Sequence, residues 1–277
     1  MANKTYNFIS GLPRSGSTLL TSILNQNPKF YSNISDPLYA YTKALIQETS
    51  SGVGNKALVN DKKLTNIIEG VFNSYYSDVN KEIIFNTNRY WTSDTAILNT
   101  LFNNKWKMLV CVREVPWILD SFEKIVSKSS YSLKPLYNYK DLDNVYDRSS
   151  ALMGGYPEIQ GTVMMALKGL SQFIASQDGH KALYIEYDAL ASEPEKVLKA
   201  VYEYLEEPYF KHDFNNVGKN YDDYDTATKI DKLHTVQNKV KFKPRKTILP
   251  IDLWNQYASQ SFWKTQLINN NYNYLYK

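Results

Sequence analysis

The sequence predicts an α/β fold, a three-layer sandwich with a central, mainly parallel sheet and helices on both faces. Three observations carry that expectation. Short β-prone runs alternate along the chain with segments of helical period. The run Trp106–Val112 (WKMLVCV) is apolar almost throughout, which suits a central strand covered on both faces. A Gly-x4-Gly stretch, Gly11 to Gly16, separates the first such run from the first helical one, as in P-loop-type folds.

The first strand is expected at Tyr6–Ser10, ended by Gly11. Thr18–Asn25 (TLLTSILN) spaces its apolar residues along one helix face, and Asn27-Pro28 stops it. A helix over 61–77 follows from Leu64, Ile67, Ile68, Val71 and Phe72. Glu82–Thr87 (EIIFNT) reads as a second strand, and a helical stretch around Ser93–Phe102 leads to the third, Trp106–Val112. Pro116–Lys128 carries Ile118, Leu119, Phe122 and Ile125 on one side. Residues 129–150 are polar and tyrosine-rich without a clear period, so a long loop or short helical turns are expected. A helix over 158–177 precedes a fourth strand at Lys181–Tyr187 (KALYIEY). Ser192-Glu-Pro-Glu195 has the form of a capping box opening a helix to Leu205. From 211 to 247 the chain is charged and weakly periodic, and loops of that length in compact domains are usually lids or binding loops, or disordered. An amphipathic helix over 251–268 closes the chain. There is no internal repeat, so one domain is expected over 1–277, with 211–247 as its lid or substrate-binding region.

Charge is nearly balanced, with 32 basic and 28 acidic side chains and a net charge of +4. That is too mild for a nucleic-acid binder, which shows a concentrated basic face. At 43% hydrophobic and 14% aromatic residues the chain can bury a core, which excludes global disorder. No apolar run approaches the roughly 18 residues of a membrane helix. The N-terminus has no apolar signal segment, and the single cysteine, Cys111, excludes an internal disulfide. A reducing, cytoplasmic setting is therefore expected. Of the 32 basic residues only five are arginines: Arg14, Arg89, Arg113, Arg148 and Arg245. In a chain that uses lysine by default, each arginine asks whether a planar fork is needed there.

Gly11-Leu-Pro-Arg-Ser-Gly16-Ser17-Thr18 has the context that a phosphate-binding loop requires. Glycines let successive backbone N–H groups converge on an anion, and the helix N-terminus adds its partial positive charge. The lysine that reaches the β- and γ-phosphates in ATPases is replaced by Ser17; the loop's cation is Arg14 instead. Ser15, Ser17 and Thr18 offer hydroxyls. Such a loop suits a phosphate diester or anhydride better than Mg-ATP hydrolysis.

These residues resemble the 5′-phosphosulfate loop of sulfotransferases that use 3′-phosphoadenosine 5′-phosphosulfate (PAPS). The family loop reads Pro-Lys/Arg-Ser/Thr-Gly-Ser/Thr-Ser/Thr, and Pro13, Arg14, Ser15, Gly16, Ser17 and Thr18 match it throughout. The likeness is greater to the tyrosylprotein-sulfotransferase-like and bacterial or viral branch than to the animal cytosolic enzymes. The resemblance implies a second anion site, where an arginine at a strand end and a serine eight residues later bind the nucleotide's 3′-phosphate. Arg113 ends the apolar strand here and Ser121 lies eight positions on. The family's Arg-Asp-Pro is Arg113-Glu114-Val115-Pro116, a departure within the turn. Tyr187-Asp188-Ala189-Leu190 is similar to the family's Tyr-x-Asp-Leu segment, whose tyrosine lies beside the nucleotide. Weaker likeness runs through Leu233–Val236 and Thr247–Pro250, and Arg245 and Lys246 stand where they could fold over the 3′-phosphate.

The implied reaction moves SO₃ from PAPS to a hydroxyl or amine acceptor by in-line displacement and releases 3′,5′-ADP (PAP). By analogy with phosphoryl transfer, the protein positions groups and stabilises charge on peripheral oxygens. Arg14 then belongs at the leaving phosphate and Arg89, after the second strand, at the sulfuryl oxygens. The general base stays open among Asp36, His234 and another residue. Asp36 lies near the position of the tyrosylprotein enzymes' glutamate, though Asp36-Pro37 also has the form of a helix N-cap. His234 has the ordinary pKa for the task and lies in the expected lid. No metal is expected, since no cluster has ligand spacing. The acceptor (peptide tyrosine, sugar, lipid or small alcohol) is not written in the sequence, and a homodimer stays open. Two other readings compete: a P-loop nucleotide kinase or other phosphotransferase, which the missing lysine disfavours, and a non-catalytic nucleotide-binding protein of the same fold.

Overall fold

The structure is a computed structural model and describes residues 4–127, 142–156, 161–218, 225–226, 234 and 236–277. Thr5–Gly11 forms β1, one residue longer at each end than expected, and the loop after it feeds α1 (Ser17–Leu24). A short strand that sequence reasoning missed, β2 (Phe30–Ser32), comes next. Then follow α2 (Leu38–Ser51), α3 (Val53–Leu58), α4 (Asp61–Tyr75) and β3 (Ile83–Thr87). A 3₁₀ turn (Trp91–Ser93) and α5 (Thr95–Leu101) lead to β4 (Met108–Val112) and α6 (Val115–Val126). After α7 (Val145–Leu152) and α8 (Thr162–Ala175) come β5 (Ala182–Glu186), α9 (Tyr187–Ser192) and α10 (Pro194–Leu205). The C-terminal part adds α11 (Ile251–Ala258), α12 (Trp263–Asn269) and β6 (Tyr274–Leu275).

The strands pair in parallel throughout, in the order β2-β3-β1-β4-β5-β6. Side chains alternate between the faces with the period of two that an extended backbone imposes. Phe8, Met108, Val110 and Tyr184 join Ile118, Leu119 and Leu170 of α6 and α8 in one core; Ile9, Leu109, Cys111 and Ile185 join Leu20, Ile23, Leu198 and Val201 of α1 and α10 in the other. Each central strand is therefore buried on both sides, and its apolar run is the sequence trace of that burial. Cys111 is fully buried and its thiol is pushed up to about 12, so it fills space as an inert apolar group. From β1 the chain builds the sheet towards β3, then crosses to β4 on the other side. Ligands of open α/β sheets bind at the carboxyl ends of the strands where the order reverses in this way.

Several local expectations are corrected. Ser192 does not open a capping box: it ends α9, its hydroxyl donates to the Asp188 carbonyl at 2.6 Å, and α10 starts at Pro194 without a side-chain cap. Tyr187 is the first residue of α9 rather than the last of a strand. The helix expected over 251–268 is two helices, parted at 259–262. Within the expected loop 129–150, Asn144 caps α7 by accepting from the Asp147 amide at 3.0 Å; residues 128–141 lie outside the described residues. Arg148 on α7 forks onto Glu123 of α6 and donates to the Leu142 carbonyl, a buried structural role.

Gly11 is required by two independent constraints. Its φ is +112°, and a Cβ there would stand 2.2 Å from the Cys111 carbonyl oxygen on the neighbouring strand. Gly11→Ala should cost about 3 kcal/mol or more, from left-handed strain plus the forced parting of β1 and β4. Urea melts of purified protein measure it, with lost soluble expression as the extreme outcome.

Candidate functional site: two anion sites at the end of β1 and β4

The loop between β1 and α1 is shaped by backbone conformations that its residue types permit. Arg14 has φ +57° and Gly16 φ +97°, and Gly16 ends the turn at the start of α1. A Cβ on Gly16 would lie 2.8 Å from Cδ2 of Tyr187, so the loop is packed against that ring. The buried Ser15 hydroxyl donates to the Leu12 carbonyl and ties the loop to itself. Ser17, where a phosphotransferase would carry lysine, and Thr18 line the cavity above the loop.

Arg113 follows β4 and is 9% exposed. Its Nη1 donates to the Arg14 carbonyl at 2.9 Å, and Arg14 Nε donates to Ser121 Oγ on α6 at 3.1 Å. The two arginines and the serine singled out in the sequence therefore stand side by side, because Gly11 pairs with Cys111 in the sheet. The Arg113 guanidinium lies 4.4 Å from the Tyr187 ring centre and that of Arg245 lies 5.3 Å from it. Arg245 Nη2 meets both carboxylate oxygens of Asp188 at 2.7 Å, and its guanidinium is 4.5 Å from the Trp117 ring. Arg113 Nε and Arg245 Nη1 are among seven buried side-chain polar atoms of the described residues without a hydrogen-bond partner; Thr87 Oγ1, also on a lining residue, is another. Burial first, and then the nearby Arg245, lowers Arg113 to about 10, so it stays cationic at neutral pH in a place that holds like charges together.

A cavity of about 880 Å³ opens over these groups, large enough for a nucleotide and a second small molecule. Arg14, Arg89, Arg113, Arg245 and four lysines line it, and among the described residues no aspartate or glutamate does. Residues 236–245 form one wall through Val236, Gln237, Val240 and Phe242. Asp120 of α6, which sequence reasoning missed, pins the chain just beyond. Its Oδ1 accepts from the Thr247 hydroxyl at 3.0 Å and the Ile248 amide at 2.8 Å. Lys246 itself is exposed and outside the lining; its carbonyl accepts from Lys124 Nζ at 2.8 Å. Parts of the expected lid, 219–224, 227–233 and 235, lie outside the described residues.

Arg89 lies in the turn after β3, exposed on the cavity wall. His234 also lines the cavity. Its Nδ1 is 2.7 Å from Asp225 Oδ1, and its main-chain N–H donates to Asp225 Oδ2 at 2.9 Å. Burial holds the imidazole below its ordinary pKa; Asp225 opposes the shift while Arg14 and Arg89 add to it. The other histidines are elsewhere: His180 sits in the 3₁₀ turn before β5, and His212 is buried against Tyr202.

Asp36 is 1% exposed and not among the lining residues. It is no helix N-cap either, since Pro37 holds that position and no side chain caps α2. The carboxylate instead accepts from the Thr87 amide at 2.8 Å, while the Asp36 amide donates to the Thr87 carbonyl at 2.8 Å. Asn88 Nδ2 donates to the Asp36 carbonyl at 3.2 Å, so the pair braces the turn that carries Arg89. Burial raises Asp36 to about 6, partly offset by the Thr87 hydrogen bond. A carboxyl whose folded pKa exceeds its unfolded value binds its proton more tightly when folded, so stability rises as pH falls from above 6 towards 4. At pH 7 the charge costs roughly 3 kcal/mol. Asp36→Asn should stabilise the protein at pH 7 by up to about that amount and flatten the rise between pH 6 and 4, read from urea melts against pH. The same variant should retain transfer activity if Asp36 braces the turn, and lose at least about 100-fold if it is the base.

Residues 4–247 match the sulfotransferase domain family. In fold the chain is similar to the sulfotransferase domain from the curacin biosynthetic pathway, with a TM-score of 0.54 and 15% identity over 97% of this chain and 99% of that one. It is also similar to a retinol dehydratase solved with androsterone and the inactive cofactor PAP (TM-score 0.52, 15% identity, 95% of this chain and 80% of that one). A sulfotransferase from Alicyclobacillus acidocaldarius gives a TM-score of 0.51 at 14% identity, over 77% of this chain and 85% of that one. No curated protein matches the chain in sequence. At these identities the solved structures speak for the fold alone, and the family rests on the match over residues 4–247, which spans both candidate anion sites. A loop with serine in place of the phosphotransferase lysine and its cation at Arg14, continuous with a second arginine–serine pair, is thus explained by membership: the chain belongs to the sulfotransferase family, enzymes that transfer a sulfuryl group from PAPS.

Proposed function

We propose that this chain binds PAPS across the two anion sites and transfers its sulfuryl group to a hydroxyl or amine acceptor, with His234 as the general base. The observation that carries the reading is the convergence of Arg14, Arg113, Ser121 and Arg245 on one cation-lined cavity, with Arg14 bonded to Ser121 and Arg113 to the Arg14 carbonyl. Arg113 feels the like charges of Arg245 and Arg14, and a bound phosphate dianion would offset them. The residues fit the nucleotide. Pro13, Arg14 and the Ser15–Thr18 loop at the start of α1 suit the 5′-phosphosulfate; Arg113, Ser121 and Arg245 suit the 3′-phosphate, and Tyr187 forms the wall between the two. Lys246 lies next to this group and adds long-range charge only.

The bound donor supplies the activated sulfuryl group. The chain's own residues do the rest. Arg14 and the amides at the start of α1 hold the leaving phosphate as negative charge grows on its bridging oxygen. Arg89 neutralises the sulfuryl oxygens, held in place by the turn that Asp36 braces. His234, uncharged at neutral pH because burial lowers its pKa, takes the acceptor's proton. Residues 236–245 cover the nucleotide, which gives the region expected as a lid its role, within one domain spanning 1–277. A cytoplasmic setting agrees with the buried free thiol of Cys111. Among the described residues no helix is long and apolar enough to cross a membrane, and no group of His, Cys, Asp and Glu could hold a metal ion.

The test is direct. PAP should raise the melting temperature by mass action on the folded state, and Mg-ATP should not. Label from radioactive PAPS should move into a member of a panel of tyrosine peptides, sugars, lipids and small alcohols. No binding of PAP at millimolar concentration would refute the reading.

A further inference from the structure

The carboxylate of Asp225 is 6% exposed and is not among the residues that line the cavity. It nevertheless meets a cavity residue twice. Oδ1 lies 2.7 Å from His234 Nδ1, and Oδ2 accepts the main-chain N–H of His234 at 2.9 Å. Both oxygens of one buried carboxylate therefore engage a single histidine, one through its ring and one through its backbone. The ring contact and the backbone contact together fix the χ angles of His234 relative to the chain that carries it.

An ionised carboxylate only accepts, so the ring nitrogen beside it must carry the hydrogen. That selects the Nδ1–H tautomer and leaves the lone pair on Nε2, the nitrogen on the side of the ring away from Asp225. On these grounds we infer that Asp225 is a positioning residue: it holds His234 in the Nδ1–H tautomer and steadies the imidazolium formed when Nε2 takes the acceptor's proton. The inference rests on His234 being the base. In the step, the acceptor O–H bond breaks and its proton moves to Nε2. The acceptor oxygen bonds to sulfur as the bond from sulfur to the bridging phosphate oxygen breaks, and the electron pair leaves on that phosphate. Asp225 exchanges no proton. Its charge offsets that of Arg14 and Arg89, the two cations that act on His234 from the loop after β1 and the turn after β3. Without it, a histidine beside two arginines would be a poorer base.

Asn in place of Asp225 offers one acceptor oxygen for two donors and presents an NH₂ to one of them. The chain has three histidines, so ring resonances can be assigned by removing His234. In ¹⁵N and ¹H titrations of the full chain, Asp225→Asn should lower the pKa of His234 and lose the Nδ1–H signature, while His180 and His212 stay as they were. Sulfuryl transfer should fall about 100-fold in kcat, with the acceptor KM and the PAP-induced thermal shift little changed. Asp225→Glu, which keeps both oxygens, should recover part of the loss. His234→Ala combined with Asp225→Asn should be no slower than His234→Ala alone. A wild-type His234 titration in Asp225→Asn, or wild-type transfer by Asp225→Asn and Asp225→Ala when His234→Ala is inactive, would overturn the positioning role alone. Full activity of His234→Ala would overturn the base assignment and this role with it.

Discussion

Arg113→Ala should remove most of the thermal stabilisation that PAP gives the wild-type protein. Ligand at 100 times its Kd stabilises the folded state by about 2.7 kcal/mol, which is roughly 5–10 °C for a chain of this size. Arg113 should hold a large share of that because its fork is buried beside the like charges of Arg245 and Arg14, which a bound anion would offset. Truncating one side of a buried, hydrogen-bonded charge pair costs about 2–5 kcal/mol, or about 30- to several thousand-fold in Kd. Calorimetry and melting curves with and without PAP measure the loss. The protein without ligand should melt close to wild type: the contact from Nη1 to the Arg14 carbonyl is lost, but so is the repulsion from Arg245. Arg113→Lys should recover only part of the affinity, since an ammonium cannot present the planar fork. Arg14→Ala should weaken PAP comparably. An unchanged PAP shift in Arg113→Ala would remove the 3′-phosphate assignment.

His234→Ala should lower sulfuryl transfer by about 10²- to 10⁴-fold while leaving PAP binding intact, the usual scale for loss of a positioned general base. The pH dependence has a fixed sign. A histidine whose folded pKa is depressed is neutral at pH 7, so the acidic limb of kcat/KM, which reports the free enzyme, should fall below pH 6.5 rather than at it. Initial rates with radiolabelled PAPS from pH 5 to 9 measure both. A slope that persists unchanged in His234→Ala would assign it to another group, and Asp36, raised to about 6, is the one to examine next through Asp36→Asn.

Much of the site was legible because its parts are local in sequence. The loop from Pro13 to Thr18 needs two backbone conformations that only glycine or a strained residue adopts, and phosphate chemistry needs hydroxyls and a cation there; both leave a trace in adjacent letters. Arg113 and Ser121 were legible for a similar reason, since a strand end and the next helix are a fixed number of residues apart. The scarce arginines sorted themselves well: Arg14, Arg89, Arg113 and Arg245 all reach one cavity, and Arg148 is the exception with its partner Glu123. Asp36 shows where local reading fails. Asp-Pro at a helix start is a capping signal, but Pro37 takes the cap position and the carboxylate accepts from the Thr87 amide, 51 residues on, at the end of β3. Ser192 failed likewise, its hydroxyl satisfied by the turn before it. Strands β2 and β6 were missed because three and two residues are too few to show a period.

What the sequence determined by itself was the layered parallel fold and the identity of the candidate anion-binding groups, because both depend on short-range periodicity and on residue chemistry. Tertiary structure alone decided which of those groups stand together and which are held apart. Pairing β1 with β4 set Arg14 beside Arg113 and Ser121; packing on Tyr187 joined Arg113 with Arg245, more than 130 residues away; Asp225 met His234, nine positions on. Such neighbours are set by burial and long-range hydrogen bonding, whose distances in space have no counterpart in spacing along the chain.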